Sequence, residues 1–123
     1  MFTLLFAYAL ADEASTMDWS TANGATTGAA AHTPAVTGQT WKLPSTDEWQ
    51  QMFGANGGNN NSHTGLNTAI TNAGGTALTD GYYWSSEEND DSYAYFVSLG
   101  GGYAYFFVDY KTNPYLVRAC LAC

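Results

Sequence analysis

Trp41-Lys42-Leu43-Pro44-Ser45-Thr46-Asp47-Glu48-Trp49 is the stretch that decides the fold. Pro44 stops an extended piece, because its ring removes a backbone donor and biases the residue before it away from helix. Ser45 can then cap a helix whose third residue is Glu48, the reciprocal S-x-x-E capping box. This predicts a helix over residues 46–53, with Trp49, Met52 and Phe53 on one face at helical spacing.

Upstream, residues 26–40 are rich in Thr, Gly and Ala and read as loop. Ser15, Thr16 and Asp18 offer N-caps for a short helix over residues 19–25. Near the start, Phe6, Tyr8 and Leu10 alternate with Ala7, Ala9 and Ala11, which predicts a first strand. The competing reading of residues 2–11 is a secretory signal cut after Ala9-Leu10-Ala11, but no Lys or Arg precedes the apolar run. No segment is long enough to span a membrane as a helix. Downstream, residues 54–65 are mostly Gly and Asn and read as a flexible connector. A further short helix is expected over residues 66–73, carrying Leu66, Ala69 and Ile70 inward, before Gly74-Gly75 breaks the chain.

From Gly81 the character changes, for eight of the nine tyrosines lie beyond it. Tyr82-Tyr83-Trp84-Ser85-Ser86 reads as a strand running into an acidic loop. Residues 93–99 and 103–111 read as strands joined by Gly100-Gly101-Gly102, a hairpin turn signal, and residues 116–121 as a strand closing the sheet. Helices first and an antiparallel sheet afterward predict one α+β domain over residues 1–123.

Composition narrows the function. Charged residues make up 11%, against the usual quarter or so, and the net charge is -8. Lys42, Lys111 and Arg118 are the only fixed cations, too few and too scattered to neutralise phosphates. Nucleic acid and anionic membrane surfaces are therefore excluded as expected partners. Cys120 and Cys123 form a C-x-x-C, but they end a strand-like run with no helix behind them to activate a thiol. They read as small residues of a last strand. His32 and His63 lie in polar loop sequence and read as solvated, and no G-x-S-x-G, H-E-x-x-H or P-loop motif is present. No catalytic residue, cofactor or metal ligand is expected. Trp19, Trp41 and Trp49 read as scaffold, and Arg118 as a buried cation paired to Glu88 or Asp109.

Three segments together carry a resemblance: Trp41-x-Leu43-Pro44-Ser45-x-x-Glu48-Trp49, Tyr83-Trp84-Ser85-Ser86-x-Glu88, and Val117-Arg118-Ala119. They resemble bacterial and phage domains of the C-type lectin fold, above all the variable proteins of diversity-generating retroelements. The resemblance runs from about residue 8 to residue 123. It implies short helices packed on small antiparallel sheets and a non-catalytic receptor-recognition protein. Its ligand would be a protein or surface glycan on another cell or virion. The domain itself would stand outside the cell, on a cell surface or a virion, with display in several copies strengthening weak single sites. In that family the variable part corresponds to residues 87–116 here. Mutagenesis there acts at adenines, often in AAC codons, which cannot become Glu, Gln, Lys, Met or Trp; residues 89–116 use none of these except Lys111. The chain departs from the pattern at Cys123, where relatives commonly end in an aromatic residue.

Strand periodicity sorts the candidate ligand-binding residues. With Val97 and Leu99 inward, Tyr95 is expected inward and Ala94, Phe96 and Ser98 outward. In the next strand Ala104, Phe106 and Val108 share one face, while Tyr103, Tyr105, Phe107 and Asp109 share the other. The outward row is expected to continue through Tyr110, Thr112, Asn113 and Tyr115, with Asp90, Asp91 and Tyr93 joining from the preceding loop. Tyr82, Trp84, Tyr95 and Phe106 are expected in the core. Tyrosine suits such a surface because it offers a large rigid ring and a hydroxyl while freezing only two torsions.

Three rival readings remain. A calcium-dependent sugar lectin is suggested by Glu87, Glu88, Asn89, Asp90 and Asp91, although the sugar-binding E-P-N, Q-P-D and W-N-D patterns are absent. A formylglycine-generating enzyme shares the L-P-[ST]-x-x-E-W motif, but its cysteine-pair motif is missing here. A constant adhesin or pilus-tip module is the third.

Overall fold

The computed structural model describes residues 6–55 and 62–122. The expectations for residues 2–5, for the middle of the Gly/Asn connector and for Cys123 lie outside them.

The capping box forms as a reciprocal pair. Glu48 N–H donates to Ser45 Oγ at 3.1 Å, and Ser45 N–H donates to Glu48 Oε1 at 2.9 Å. Lys42 Nζ also donates to that carboxylate at 2.5 Å. Helix α2 therefore starts where the sequence places it and runs over Thr46–Ala55. Its apolar face, Trp49, Met52 and Phe53, is buried beside Leu66 and Ile70 of helix α3, Thr64–Asn72. The first helix, α1, is a single turn, Trp19–Ala22, and Asp18 is the cap: its carboxylate accepts from Thr21 N–H at 2.9 Å.

Two three-stranded antiparallel sheets complete an α+β domain. One holds β1 (Phe6–Tyr8), β6 (Cys120–Ala122) and β2 (Trp41–Lys42), in the order β1-β6-β2. The other is β3 (Gly81–Glu88), β4 (Tyr93–Gly100) and β5 (Tyr103–Tyr110), in that order. A two-residue turn joins β4 to β5, and its Gly101 and Gly102 both have positive φ (61° and 86°), the geometry that suits strand twist.

The β3-β4-β5 sheet is covered on both faces, but unequally. Against one face α2 and α3 build a core with Tyr83, Val97, Leu99 and Ala104. Against the other, Ala9, Ala22, Ala29, Leu43, Val117 and Ala119 build a second core around Trp84, Ala94 and Phe96. This second layer reaches β3 and β4 and leaves most of β5 bare. The two long motifs meet at its edge: Ser86 N–H donates to Pro44 O at 2.8 Å, and Thr46 Oγ1 donates to Glu87 Oε1 at 2.5 Å.

Several expectations are corrected. The run 116–121 is not one strand closing the large sheet. Leu116 makes an isolated parallel bridge to Tyr83, and only Cys120–Ala122 is strand, in the other sheet. The chain crosses between sheets because Val117 and Ala119 enter the second core while Arg118 turns to Asp12. Arg118 is a buried cation, but its acceptors are Asp12 Oδ1 (2.7 Å), Ala9 O (3.1 Å) and Thr76 O (2.7 Å). Glu88 pairs instead with Lys111. Neither histidine is simply solvated. His32 Nδ1 lies 2.5 Å from Glu13 Oε2, and its ring meets Trp41 edge-on. His63 is buried, its backbone N–H donates to Gly102 O, and Nε2 is 3.7 Å from Asp80. Their partners come from distant segments that the local polar sequence does not reveal. Cys120 is fully buried, and burial pushes its thiol up to about 12.

Candidate recognition surface

The register of the large sheet decides which side chains share a face. Tyr82, Ser98 and Tyr105 lie abreast across β3, β4 and β5, and Trp84, Phe96 and Phe107 form the next row. Gly100 opposite Tyr103 stands at the hairpin end, and Ala94 opposite Asp109 at the other. All of these point away from the α2–α3 core, because directly opposed residues share a face and successive residues alternate.

On this face the second core seals Trp84, Ala94 and Phe96 but stops short of the rest. Tyr82, Tyr103, Tyr105 and Phe107 are 47–58% exposed. Ser98 and Gly100 are small, and nothing stands within 4 Å above Gly100. They floor a shallow trough between Tyr82 on one side and Tyr103 and Tyr105 on the other. With strands spaced by about 4.8 Å, Tyr82 and Tyr105 stand about 10 Å apart at the backbone. The Tyr103 and Tyr105 rings lie 6.4 Å apart at an interplanar angle of 25°. Phe96 supports the floor, with ring centroids 5.0 Å from Tyr82 and 6.1 Å from Phe107.

Tyr115 buttresses the trough from the loop after β5. Its ring lies 4.6 Å from Trp84, 5.1 Å from Phe96 and 5.2 Å from Tyr82, and its hydroxyl donates to Asp109. Burial pushes the Tyr115 hydroxyl up to about 12, and its hydrogen bond to Asp109 pushes the same way. That bond, with the Tyr110 N–H, holds the Asp109 carboxyl below its ordinary value despite partial burial. The face thus carries a fixed negative charge at one end.

Of the expected site residues, Ser98, Tyr103, Tyr105, Phe107 and Asp109 do come together on one face. Phe96 does not serve as a contact; it is 6% exposed because the second core covers the face where open water was expected. Ala94 is buried for the same reason, and Tyr115 is half-buried. Tyr93 and Tyr110 pair with each other, ring centroids 4.7 Å apart, on the opposite face, since both stand one residue out of phase with Ala94 and Asp109. Asp90 folds back to accept from the Ser92 and Tyr93 N–H groups, while Asp91 is exposed in the same loop. Thr112 is exposed and Asn113 half-buried, in the loop carrying Tyr115.

Tyr82 was expected in the core and belongs to the surface instead. The clue lies in Tyr82-Tyr83-Trp84: neighbours on a strand face opposite ways, so a buried Tyr83 on the helix side forces Tyr82 outward. Trp84 shares its face but lies under the second core. Of the remaining expected core residues, Tyr95 and Phe106 are half-buried.

The acidic run does not gather into a cation site. Glu87 caps α2 through Thr46, Glu88 holds Lys111, and Asp90 closes its own turn. Among the described residues, no three His, Cys, Asp or Glu side chains converge to hold a metal ion. No helix among them is long and apolar enough to cross a membrane. Comparisons with protein-family models, curated proteins and solved structures give no match to this chain.

Proposed function

We propose that this chain is a non-catalytic binding domain of the C-type lectin type, which recognises a protein or surface-glycan partner outside the cell through the outer face of β3-β4-β5. The observation that carries this reading is the row Tyr82, Tyr103, Tyr105 and Phe107, about half exposed on one face above a small-residue floor. A folded monomer gains nothing from presenting four large rings to water side by side; contiguous exposed apolar surface marks an interaction site. A fully buried aromatic covers about 150–250 Å², and these four rings are about half exposed, so they can still give about 300–500 Å² of the roughly 800 Å² each partner contributes to a standard interface.

The frame beneath is suited to holding such a row still. Trp84, Phe96 and Tyr115 interlock below it, and the two-residue glycine turn fixes the register of β5. We further propose that the domain is a retroelement variable protein, with diversification directed at these bare β5 positions and their loops.

The binding reading is tested on an array of glycans and bacterial surface proteins, comparing the native chain with a Tyr103→Ser/Tyr105→Ser/Phe107→Ser variant. Ligands retained by the native chain and lost by the variant support it; identical profiles overturn it. Diversification predicts a reverse-transcriptase gene and a near-copy of the 3′ coding end beside this locus. Their absence would leave a constant adhesin module.

A further inference from the structure

We infer that the partner seated on this aromatic face is a cationic protein segment, its arginine side chains lying over Tyr105 and Phe107 with their guanidinium ends directed at Asp109. The inference rests on the recognition reading above and names the class of partner.

Charge is the first support. Each of the three fixed cations is already taken inside the molecule: Lys42 by Glu48 at 2.5 Å, Lys111 by Glu88 at 2.5 Å, and Arg118 by Asp12 at 2.7 Å. Of the 11 acids, eight are then left without a fixed cation. Exposed acids stand at both ends of the face, Asp80 where β3 begins and Asp90 and Asp91 in the loop before β4. That loop is tied to the segment after Asp109, since Lys111 N–H donates to Ser92 O at 2.9 Å. A sialylated or sulfated glycan would meet repulsion here and no free cation. A basic partner is drawn in.

Chemistry on the face is the second support. Phe107 and Asp109 are successive side chains on one face of β5, an open ring followed by a carboxylate. A guanidinium is planar and weakly hydrated, so it stacks on such a ring while its fork hydrogen-bonds an acid. The chain holds one of its own cations by the same combination. Lys111 Nζ lies 4.9 Å from the centre of the Trp19 ring and 2.5 Å from Glu88. Beside Phe107, Tyr105 and Tyr103 extend the platform, and the Ser98–Gly100 floor leaves room for the aliphatic stem.

The test is a selection from a displayed library of random dodecapeptides on the immobilised native chain. Counter-selection uses the Tyr103→Ser/Tyr105→Ser/Phe107→Ser variant, or single Tyr105→Ser and Phe107→Ser variants should the triple variant fold poorly. The expected survivors are net-positive and rich in Arg rather than Lys. They should lose about tenfold in affinity on the single variants, the scale of one or two cation–π contacts. They should weaken severalfold on Asp90→Asn/Asp91→Asn, which leaves the rings untouched. Survivors that bind the face but carry no excess of Arg would overturn the partner class and leave the recognition surface standing. Peptides that never distinguish the native chain from the variants would overturn both.

Discussion

Arg118 is a cation sealed in the interior, and its acceptors come from two distant stretches of chain: Ala9 and Asp12 just after β1, and Thr76 before β3. Asp12 also accepts from the buried Tyr83 hydroxyl at 2.8 Å, so one carboxylate joins the segment after β1, strand β3 and the run into β6. Removing one member of such a buried set strands the others away from water. Arg118→Met is expected to lower stability by about 3 kcal/mol or more, read as a shift in the urea midpoint. Arg118→Lys should rescue little, because a single ammonium cannot reach three acceptors as a planar fork does. A midpoint unchanged in Arg118→Met would mean that these hydrogen bonds are not made in solution.

Helix α2 and the β4–β5 hairpin are the two elements set by local chemistry. Ser45→Ala removes the oxygen that accepts from Glu48 N–H, an expected loss of about 1 kcal/mol by thermal melting. In the hairpin, Gly101 has φ 61° and open space where a Cβ would go, so Gly101→Ala should cost only the backbone penalty of about 1–2 kcal/mol. Strand β5 differs in kind, since Tyr103, Tyr105 and Phe107 on its outer face stand about half exposed. Phe107→Ser should alter stability by no more than about 0.5 kcal/mol, as surface changes usually do. Its cross-strand neighbour Phe96 is sealed, and Phe96→Ala should cost about 3 kcal/mol or more. Calorimetry on the pair separates surface from support: equal losses would show that β5 is covered and the proposed face does not exist.

At the scale of the whole molecule, acid should weaken this protein in two steps. Burial holds His63 below its ordinary value of 6.5, although Asp80 and the backbone of Tyr103 pull the other way. The unfolded chain therefore takes up that proton first, and stability is lost as the pH falls through 6.5. Burial pushes Glu48 up, but Lys42 and Ser45 more than offset it, leaving the carboxyl below its ordinary value of 4.5. Its contribution is intact above 4.5 and disappears as the pH drops through the lower, folded value. Urea midpoints measured from pH 7.5 downward, at about two pH values per step, should show the earlier loss vanish in His63→Gln and the later one persist. A midpoint flat from neutrality to 5 in the native chain would contradict the burial of His63.

What could be read from the amino acids alone was whatever depends on near neighbours. Ser45 and Glu48 capped α2, the glycines turned the hairpin, and period-two alternation put Tyr103, Tyr105 and Phe107 on one side of β5. Overall charge likewise gave the expectation that no phosphate-binding surface is present. Alternation could say which residues share a face, but not what lies against it. Only the tertiary structure decided that a second layer covers Phe96 and Ala94, and that it ends before Tyr82. The same holds for Arg118 and both histidines, whose partners arrive from remote segments. Period is a property of the backbone at each residue; burial depends on where the rest of the chain comes to rest.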